Sequence, residues 1–171
     1  KVQDKKRVHV TLFAGLLKNN KLDFAIQKAV ELGIDEVRPF LSSNTAETKF
    51  AKDRADKIAL EAAKQCGSAY LTKVCELCDF QDVVKSFSDF DKVLFAYEDE
   101  KKNRIKDCDL SGKKIALIVG AEGGFTPEEA QIAKEAGAQI VTLGRRILRA
   151  ETASIVASAL LLDTLGELDY E

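Results

Sequence analysis

The sequence predicts an α/β fold with a mostly parallel sheet. Short apolar runs with the length of buried strands alternate along the 171 residues with helical stripes of apolar residues. The clearest run covers residues 115–119, and the clearest stripe joins Leu22, Ala25, Ile26 and Ala29. A chain of this length can bury one sizeable core. Because no internal repeat or low-complexity linker divides it, we expect one α/β domain.

The predicted elements follow one another in a simple order. Strands are expected at residues 8–15, 36–41, 71–75, 92–96, 115–119 and 139–143. Helices are expected at residues 22–32, 55–66, 80–87, 127–136 and 150–162. Pro39 indicates that the second strand lies at a sheet edge or ends there, since proline cannot donate to a ladder. The charged residues 98–102 are interpreted as a solvated loop.

Composition and charge exclude several classes of protein. The net charge of −2 gives no global basic field, so contact with RNA would need a local patch. No apolar run reaches the roughly 18 residues of a membrane span, and no secretory signal is visible. We therefore expect a cytoplasmic protein. The chain begins at Lys1 and contains no Met, which favours a fragment or a processed form.

The four cysteines favour reduced thiols over a metal centre. Cys75 and Cys78 form a CxxC, but no second pair accompanies them as in a zinc site. Thiols packed as small hydrophobes are the better interpretation. No metal site is predicted.

Two loops, separated by one βαβ unit, carry the most informative residues. Residues 120–125 read GAEGGF, and three glycines permit a tight turn and close approach of a ligand. Thr126, Pro127 and Glu129 then predict the N-cap, first residue and capping-box partner of a helix. Residues 144–149 place three arginines in six positions. Both loops fall at carboxyl ends of strands, where open α/β sheets bind ligands; the alternative is two ordinary turns with surface arginines.

The last predicted helix, residues 150–162, is apolar around most of its circumference. One face can pack on the sheet of its own chain, and the other face then needs a partner. A second copy of the chain is the simplest partner, and Leu161 and Ile155 are expected in that interface. The alternative is a helix covered on both sides within one domain.

The two loops also carry a family resemblance. The sequences LIVGAEGGFTPEE and LGRRILRAETA together resemble the paired signature of the ribosomal RNA small subunit methyltransferase E family. The segments IQKAVELGIDEVRPF and EAAKQCG resemble it as well, so the similarity covers about residues 7–168. The resemblance implies the three-layer α/β fold of SPOUT methyltransferases, with a C-terminal trefoil knot. Residues 1–6 would then be a linker remnant from a missing N-terminal PUA-like RNA-binding domain, and residues 7–171 the methyltransferase domain.

The resemblance implies a cofactor, a reaction and partners. S-adenosyl-L-methionine would lie between the two loops, the start of the last helix and the loop after residues 92–96. Its methyl group would pass to N3 of a uridine in 16S ribosomal RNA, free or in the small ribosomal subunit, and the last helix would form a homodimer. The residues expected to hold the cofactor are Leu94, Ala96, Val119, Gly120, Glu122, Gly123, Gly124, Phe125, Leu143, Gly144, Ile147, Leu148, Thr152 and Ala153.

Four charged residues are candidates for the chemistry that this resemblance implies. The N3 atom of uracil must lose its proton to become a nucleophile, so positioning and electrostatics would carry the reaction. Arg146 and Arg149 would stabilise the uracil anion or hold a phosphate. Glu122 and Glu151 would orient these arginines or accept the proton, and the sequence does not choose between them. Glu151 can also be interpreted as a helix-start carboxylate facing the helix dipole.

The sequence departs from the family pattern at four positions. Ala121 and Arg145 replace prolines, while Asn44 and Ser68 stand where the family often has arginines expected to hold RNA. These departures keep open an alternative, an RNA-binding or ribosome-assembly module that does not methylate. A phosphate-cradling nucleotide enzyme ranks last, because the glycine loop lacks the Lys and Ser/Thr of a P-loop.

Overall fold

The computed structural model describes residues 7–170 and shows seven strands in one sheet. The strands are β1 (His9–Gly15), β2 (Glu36–Leu41), β3 (Lys73–Val74), β4 (Cys78–Asp79), β5 (Lys92–Ala96), β6 (Lys114–Val119) and β7 (Gln139–Val141). Their order is β3-β2-β1-β6-β5-β7, and β4 pairs with β2 beyond β3. Every pairing between these strands is parallel, which confirms the predicted α/β class. Residues 1–6, the expected linker remnant, lie outside the described residues.

Helices cover both faces of the sheet. They are α1 (Lys21–Leu32), α2 (Lys52–Cys66), α3 (Phe80–Lys85), α4 (Pro127–Glu135) and α5 (Ala150–Thr164), with 3-10 turns at Ser86–Asp89 and Ile105–Asp107. One core cluster joins the sheet to α1, α2 and α5, and a second joins it to α3 and α4. The molecule therefore has the expected three layers, while the trefoil knot stays a prediction. No helix in residues 7–170 is long and apolar enough to cross a membrane.

The central strand β6 explains why the predicted run is continuously apolar. Ile115, Leu117 and Val119 belong to the first cluster, whereas Ala116 and Ile118 belong to the second. All five side chains are buried because helices lie on both sides of the parallel strand. Each large apolar side chain buried in this way contributes about 1.5–3 kcal/mol to folding. The run that predicted β6 thus reflects burial on two faces.

The expectation that Pro39 marks an edge is wrong, because β2 has partners on both sides. The carbonyls of Asp35 and Val37 accept hydrogen bonds from the β3 side, so the backbone of Pro39 points the same way. At that level β3 has already ended opposite Val37, and β4 begins only opposite Phe40. Pro39 therefore lies opposite the break between two short strands, where its missing N–H costs no ladder bond.

Other strand boundaries also differ from the prediction. The strand expected at residues 71–75 is reduced to Lys73–Val74, and the two-residue strand β4 was not predicted. The strand expected at residues 139–143 ends at Val141. Strands of two or three residues are too short to show an alternating pattern, so their sequence cannot reveal them.

Helix α5 has one buried face and one partly exposed face. Ala157 and Leu161 have no exposed surface and pack into the first core cluster of their own chain. The expectation that Leu161 lies in an interface between two copies is therefore wrong. Ile155 is only partly buried, and Leu160 is 44% exposed. Because the helix is apolar on both faces, its sequence could not tell which face packs inward.

Candidate functional site

A cavity of about 670 Å³ opens at the carboxyl ends of β5, β6 and β7. Three loops and the first turn of α5 form its wall: the loop after β5, the glycine loop (residues 120–125) and the arginine loop (residues 142–149). Parallel α/β sheets bind their ligands at this edge, and the volume is that of a small-molecule site. The fold thus joins in space the two loops that the sequence singled out.

Most of the predicted site residues meet at this cavity. Those in its wall are Ala96, Val119, Gly120, Glu122, Gly124, Phe125, Leu143, Gly144, Arg146, Ile147, Leu148, Arg149, Glu151 and Ala153. Three others do not line it. Leu94 has no exposed surface and lies in the core beneath, Gly123 faces away toward Asn44, and the exposed Thr152 is outside the wall.

Sequence reasoning missed several residues of the wall. The cavity is also lined by Lys21, Tyr97, Glu98, Lys101, Ala121, Thr142, Arg145 and Ala150. Tyr97, Glu98 and Lys101 lie in the loop after β5, which the family resemblance implied as part of the pocket without naming these residues, while the charge pattern alone indicated a solvated loop. Their position after a parallel strand was the signal that could have found them.

The loop after β5 is held by its own short contacts. The Tyr97 hydroxyl donates to Oδ2 of Asp99 at 3.2 Å, and Nζ of Lys101 donates to the Glu98 carbonyl at 2.8 Å. Burial, together with the charge of Asp99, raises the pKa of Tyr97. The carboxylate of Glu98 makes no hydrogen bond or ion pair with the residues that the structure describes, so it is available to a ligand.

An aromatic cluster anchors the glycine loop beneath the cavity. Phe125 is buried, and its ring centroid lies 4.2 Å from that of Phe95 and 6.0 Å from those of Phe40 and Phe80. Aromatic pairs at these separations contribute about 0.5–1.5 kcal/mol beyond their buried area. The end of the loop is therefore fixed to a rigid support.

The predicted capping box then starts α4. The hydroxyl of Thr126 accepts the backbone N–H of Glu129 at 3.1 Å, and Oε1 of Glu129 accepts the backbone N–H of Thr126 at 2.9 Å. Pro127 occupies the first turn, as expected. These contacts fix the direction in which the chain leaves the glycine loop.

The two candidate carboxylates have different surroundings. Oε1 of Glu122 accepts the backbone N–H of Lys18 at 2.9 Å, which ties the glycine loop to the loop after β1. Oε2 of Glu151 is buried and has no hydrogen-bond partner within residues 7–170. Glu151 belongs to the cavity wall, but this oxygen has almost no surface open to the cavity, so a ligand would contact it only after the side chain turns. This difference distinguishes the two residues where the sequence could not.

The arginine loop presents free cations to the cavity. Arg145, Arg146 and Arg149 are exposed, and none forms an ion pair or side-chain hydrogen bond in the described part of the chain. Elsewhere arginines are paired, as Arg104 is with Asp107 at 2.8 Å. Guanidinium groups bind phosphates and other anions through forked hydrogen bonds. The loop can therefore hold or stabilise a negatively charged ligand.

The two positions where arginine was expected are used differently. Nδ2 of Asn44 donates to the carbonyl of Gly123 at 3.1 Å. The Ser68 hydroxyl donates to the carbonyl of Tyr70 at 2.7 Å. Both residues thus make local contacts within the protein.

The CxxC cysteines belong to no cluster of possible metal ligands within the described residues. Across residues 7–170, no group of three or more His, Cys, Asp or Glu side chains is arranged to hold a metal ion. Sγ of Cys75 donates to Oε1 of Glu36 at 2.9 Å, and Sγ of Cys78 lies 3.7 Å from the carbonyl of Pro39. Both thiols therefore serve the packing of β2 against its short neighbours.

Comparisons with known proteins agree on one family. The RNA methyltransferase domain family matches residues 4–162. Over 152 residues the chain is 38% identical to Ribosomal RNA small subunit methyltransferase E of Mesomycoplasma hyopneumoniae, which covers 85% of this chain and 66% of that protein. It is 32% identical to the protein of the same name from Bacillus subtilis, with 88% and 64% covered. The chain therefore spans slightly less than two thirds of the length of these curated relatives.

A solved structure gives the same result. The crystal structure of a Ribosomal RNA small subunit methyltransferase E from Neisseria gonorrhoeae, bound to S-adenosyl methionine, matches with a TM-score of 0.81 and 31% identity. The match covers 91% of this chain and 66% of that one. The resemblance predicted from the two loop sequences is confirmed.

Proposed function

Because this chain belongs to the RNA methyltransferase domain family, we propose that it transfers a methyl group from S-adenosyl-L-methionine to N3 of a uridine in 16S ribosomal RNA. The observation that carries the proposal is the cavity in which the glycine loop meets three arginines without partners in the described residues. A module that only binds RNA would not need such a cavity, so we do not favour the non-methylating alternative.

The cavity suits S-adenosyl-L-methionine in volume and in chemical character. Backbone groups of the glycine loop and apolar side chains such as Val119 and Leu148 form much of its wall. We propose that the adenosine lies against these groups, and that the Glu98 carboxylate faces the positively charged methionine portion. Oε1 of Glu98 lies 3.8 Å from where a Cβ on Gly124 would stand, so the two loops are neighbours there. The bound cofactor supplies an electrophilic methyl group on a sulfonium.

We assign the proton transfer to Glu151 and the charge stabilisation to Arg146 and Arg149. Glu151 lines the cavity and its buried Oε2 has no hydrogen-bond partner in the described residues, so its carboxylate can turn toward the N3–H of uracil, whereas Glu122 already holds the backbone of Lys18. The carboxylate of Glu151 accepts the N3 proton, and the arginines stabilise the resulting uracil anion or hold its phosphate. With that proton removed, the N3 lone pair would be free to accept the methyl group that the bound cofactor supplies.

A methylation assay tests the proposal. The chain is incubated with S-adenosyl-L-methionine and 16S ribosomal RNA, or small subunits, from a strain that lacks N3-methylated uridine. Mass spectrometry of the digested nucleosides should show 3-methyluridine, and a Glu151→Gln variant should form far less. If the chain binds both cofactor and RNA but leaves every uridine unmodified, the non-methylating module is the better account.

We further propose that two copies of the chain pair through the outer face of α5. This face carries Ile155, Val156 and Ala159, which are partly buried, and Leu160, which is 44% exposed. Burial of one such large side chain contributes about 1.5–3 kcal/mol, and a symmetric interface gains it twice. Since α5 begins at the cavity wall, the interface would support the site.

Sedimentation velocity tests this pairing with a matched pair of variants. Leu160→Asp should convert the dimer to a monomer. Leu60→Asp, on α2, changes an equally large side chain that is 43% exposed and should leave the dimer intact. A wild-type chain that sediments as a monomer at micromolar concentration would refute the proposal.

We also propose that the chain acts in the cytoplasm on ribosomal RNA. Its four cysteines are all free thiols, with Cys66 exposed, which suits a reducing compartment. The arginine loop supplies local positive charge on a chain whose net charge is −2.

A further inference from the structure

Asn44 holds the glycine loop from the side opposite the cavity. Its Nδ2 donates to the carbonyl of Gly123 at 3.1 Å. A Cβ on Gly123 would stand 2.5 Å from the Asn44 backbone oxygen and 2.8 Å from the Asn44 Cβ. Gly123 must therefore be glycine because residue 44 occupies that space. Its neighbours Glu122 and Gly124 line the cavity, so the contact with Asn44 lies directly behind the wall.

The contact fixes one peptide plane of the loop. The N–H of Gly124 donates to the carbonyl of Ala121 at 3.0 Å and closes a tight turn. The carbonyl of Gly123 belongs to the same planar peptide unit as this N–H and points in the opposite direction. Asn44 and Ala121 thus hold the two ends of a single peptide unit. Without Asn44, this unit can rotate and change the backbone surface that faces the cavity.

A second tether joins residues 42–45 to the first turn of α4, which follows the glycine loop. Glu129 is 5% exposed, and while its Oε1 caps Thr126, its Oε2 accepts the backbone N–H of Ser43 at 3.2 Å. The residues before and after Asn44 are also fixed, because the Thr45 hydroxyl accepts the backbone N–H of Ser42 at 2.9 Å. Residues 42–45 therefore contact both the glycine loop and the start of α4 through hydrogen bonds.

We propose that Asn44 is a positioning residue for the cofactor, acting through the Gly123–Gly124 peptide, and that residues 42–49 become more ordered when the cofactor binds. The inference rests on the proposed function, because the ligand of the cavity is taken to be S-adenosyl-L-methionine or its demethylated product. Asn44 thus supports the glycine loop, although it stands where the family often has an arginine. The rigid contact carries the effect of a ligand on one side of the loop to the residues on the other.

Three variants separate positioning from general stability. Asn44→Ala removes one neutral hydrogen bond and should weaken binding of S-adenosylhomocysteine by about three- to tenfold. Asn44→Asp places a carboxylate oxygen against the Gly123 carbonyl and should weaken it further. Thr48→Ala changes an exposed side chain in the same loop and should bind as the wild type does. The melting temperature of the ligand-free chain should be similar in all three, since the contact is exposed.

Calorimetry and amide hydrogen exchange on the 171-residue chain complete the test. S-adenosylhomocysteine should slow exchange in residues 42–49 of the wild type and of Thr48→Ala, but much less in Asn44→Asp at saturating ligand. If the wild type binds the ligand while residues 42–49 exchange at an unchanged rate, the inference is overturned and the proposed function stands. Equal ligand affinity in Asn44→Asp and wild type would also overturn it. If the wild type binds no ligand, the proposed function itself fails.

Discussion

Charged side chains are paired differently at the amino ends and at the carboxyl ends of the strands. Where β2 begins, Glu36 is 7% exposed and accepts three hydrogen bonds, from the Thr11 hydroxyl at 3.2 Å, a guanidinium nitrogen of Arg38 at 3.1 Å and Sγ of Cys75 at 2.9 Å. Its carboxylate is therefore paired, although the buried Nε of Arg38 has no hydrogen-bond partner in the described residues. The guanidinium of Arg38 also lies 5.3 Å from the centroid of the Phe13 ring. At the carboxyl ends, three arginines and Glu98 have no side-chain partner among the described residues, and Glu151 buries an unpartnered oxygen.

The difference indicates that the charges near Glu36 contribute to folding and that the charges at the cavity contribute to binding. A buried charge without a partner costs several kcal/mol, so the cluster around Glu36 is what a stable fold requires. The charges at the cavity gain nothing from one another in the chain alone. Their arrangement becomes favourable only when a ligand supplies the missing donors and anions. Substitutions at the cavity should therefore change function more than stability, and substitutions near Glu36 the reverse.

The largest expected effect is on the chemical step at Glu151. Glu151→Gln should lower the single-turnover rate of methyl transfer by about 100- to 10,000-fold, because the amide cannot accept the N3 proton. Glu122→Gln should lower it less, since its carboxylate holds the loop after β1. Rapid-quench measurements at saturating cofactor compare the two. A normal rate in Glu151→Gln with a large loss in Glu122→Gln would reverse the assignment.

A smaller effect is expected on cofactor recognition by Glu98. Glu98→Gln removes the negative charge proposed to face the ammonium group of the amino-acid portion, which S-adenosylhomocysteine also carries, and should weaken its binding by about tenfold. Methylthioadenosine lacks the amino-acid portion and should bind the variant and the wild type equally. Calorimetric titration with both ligands makes the comparison. Equal losses for both would mean that Glu98 contacts the nucleoside instead.

At the other end of the sheet, Glu36→Gln should cost about 2 kcal/mol of unfolding free energy at pH 7, from weakened charge-assisted hydrogen bonds. Burial alone would raise the pKa of Glu36, but the hydrogen bonds from Cys75 and Arg38 and the charge of Arg38 bring it below its usual value. Because the pKa is lower in the folded state, ionised Glu36 stabilises the fold at pH values above its unfolded-state pKa of about 4.3. This stabilisation is lost as the pH falls through the folded-state pKa.

Urea denaturation at several pH values checks the direction in which the stability contributed by Glu36 changes with pH. The stability difference between wild type and Glu36→Gln should shrink steadily below about pH 4.3. A difference that is constant down to pH 2.5 would contradict the linkage. The affinity for S-adenosylhomocysteine at pH 7 should be the same in both proteins, because Glu36 lies away from the cavity wall.

The contrast also explains what the sequence could predict. Apolar periodicity and capping residues are local, so the order of the five helices and of every strand except β4, and the Thr126–Glu129 capping box, were predicted correctly. The contact between Asn44 and Gly123 joins residues 79 positions apart, and no local pattern records it. The inward face of α5 is set by its neighbours, which is why Leu161 was misplaced. The resemblance implied that the loop after β5 completes the pocket, but the run of charges there did not single out Glu98.

The central claim is that the cavity at the carboxyl ends of β5, β6 and β7 binds the cofactor. Titration calorimetry with S-adenosylhomocysteine tests it on the wild type, on Ala153→Phe, which fills the cavity wall, and on Ala69→Phe, which adds the same ring at an exposed distant position. We predict one ligand bound per chain in the wild type and in Ala69→Phe, and none in Ala153→Phe. Absence of binding to the wild type at millimolar ligand, or unchanged binding to Ala153→Phe, would contradict the account.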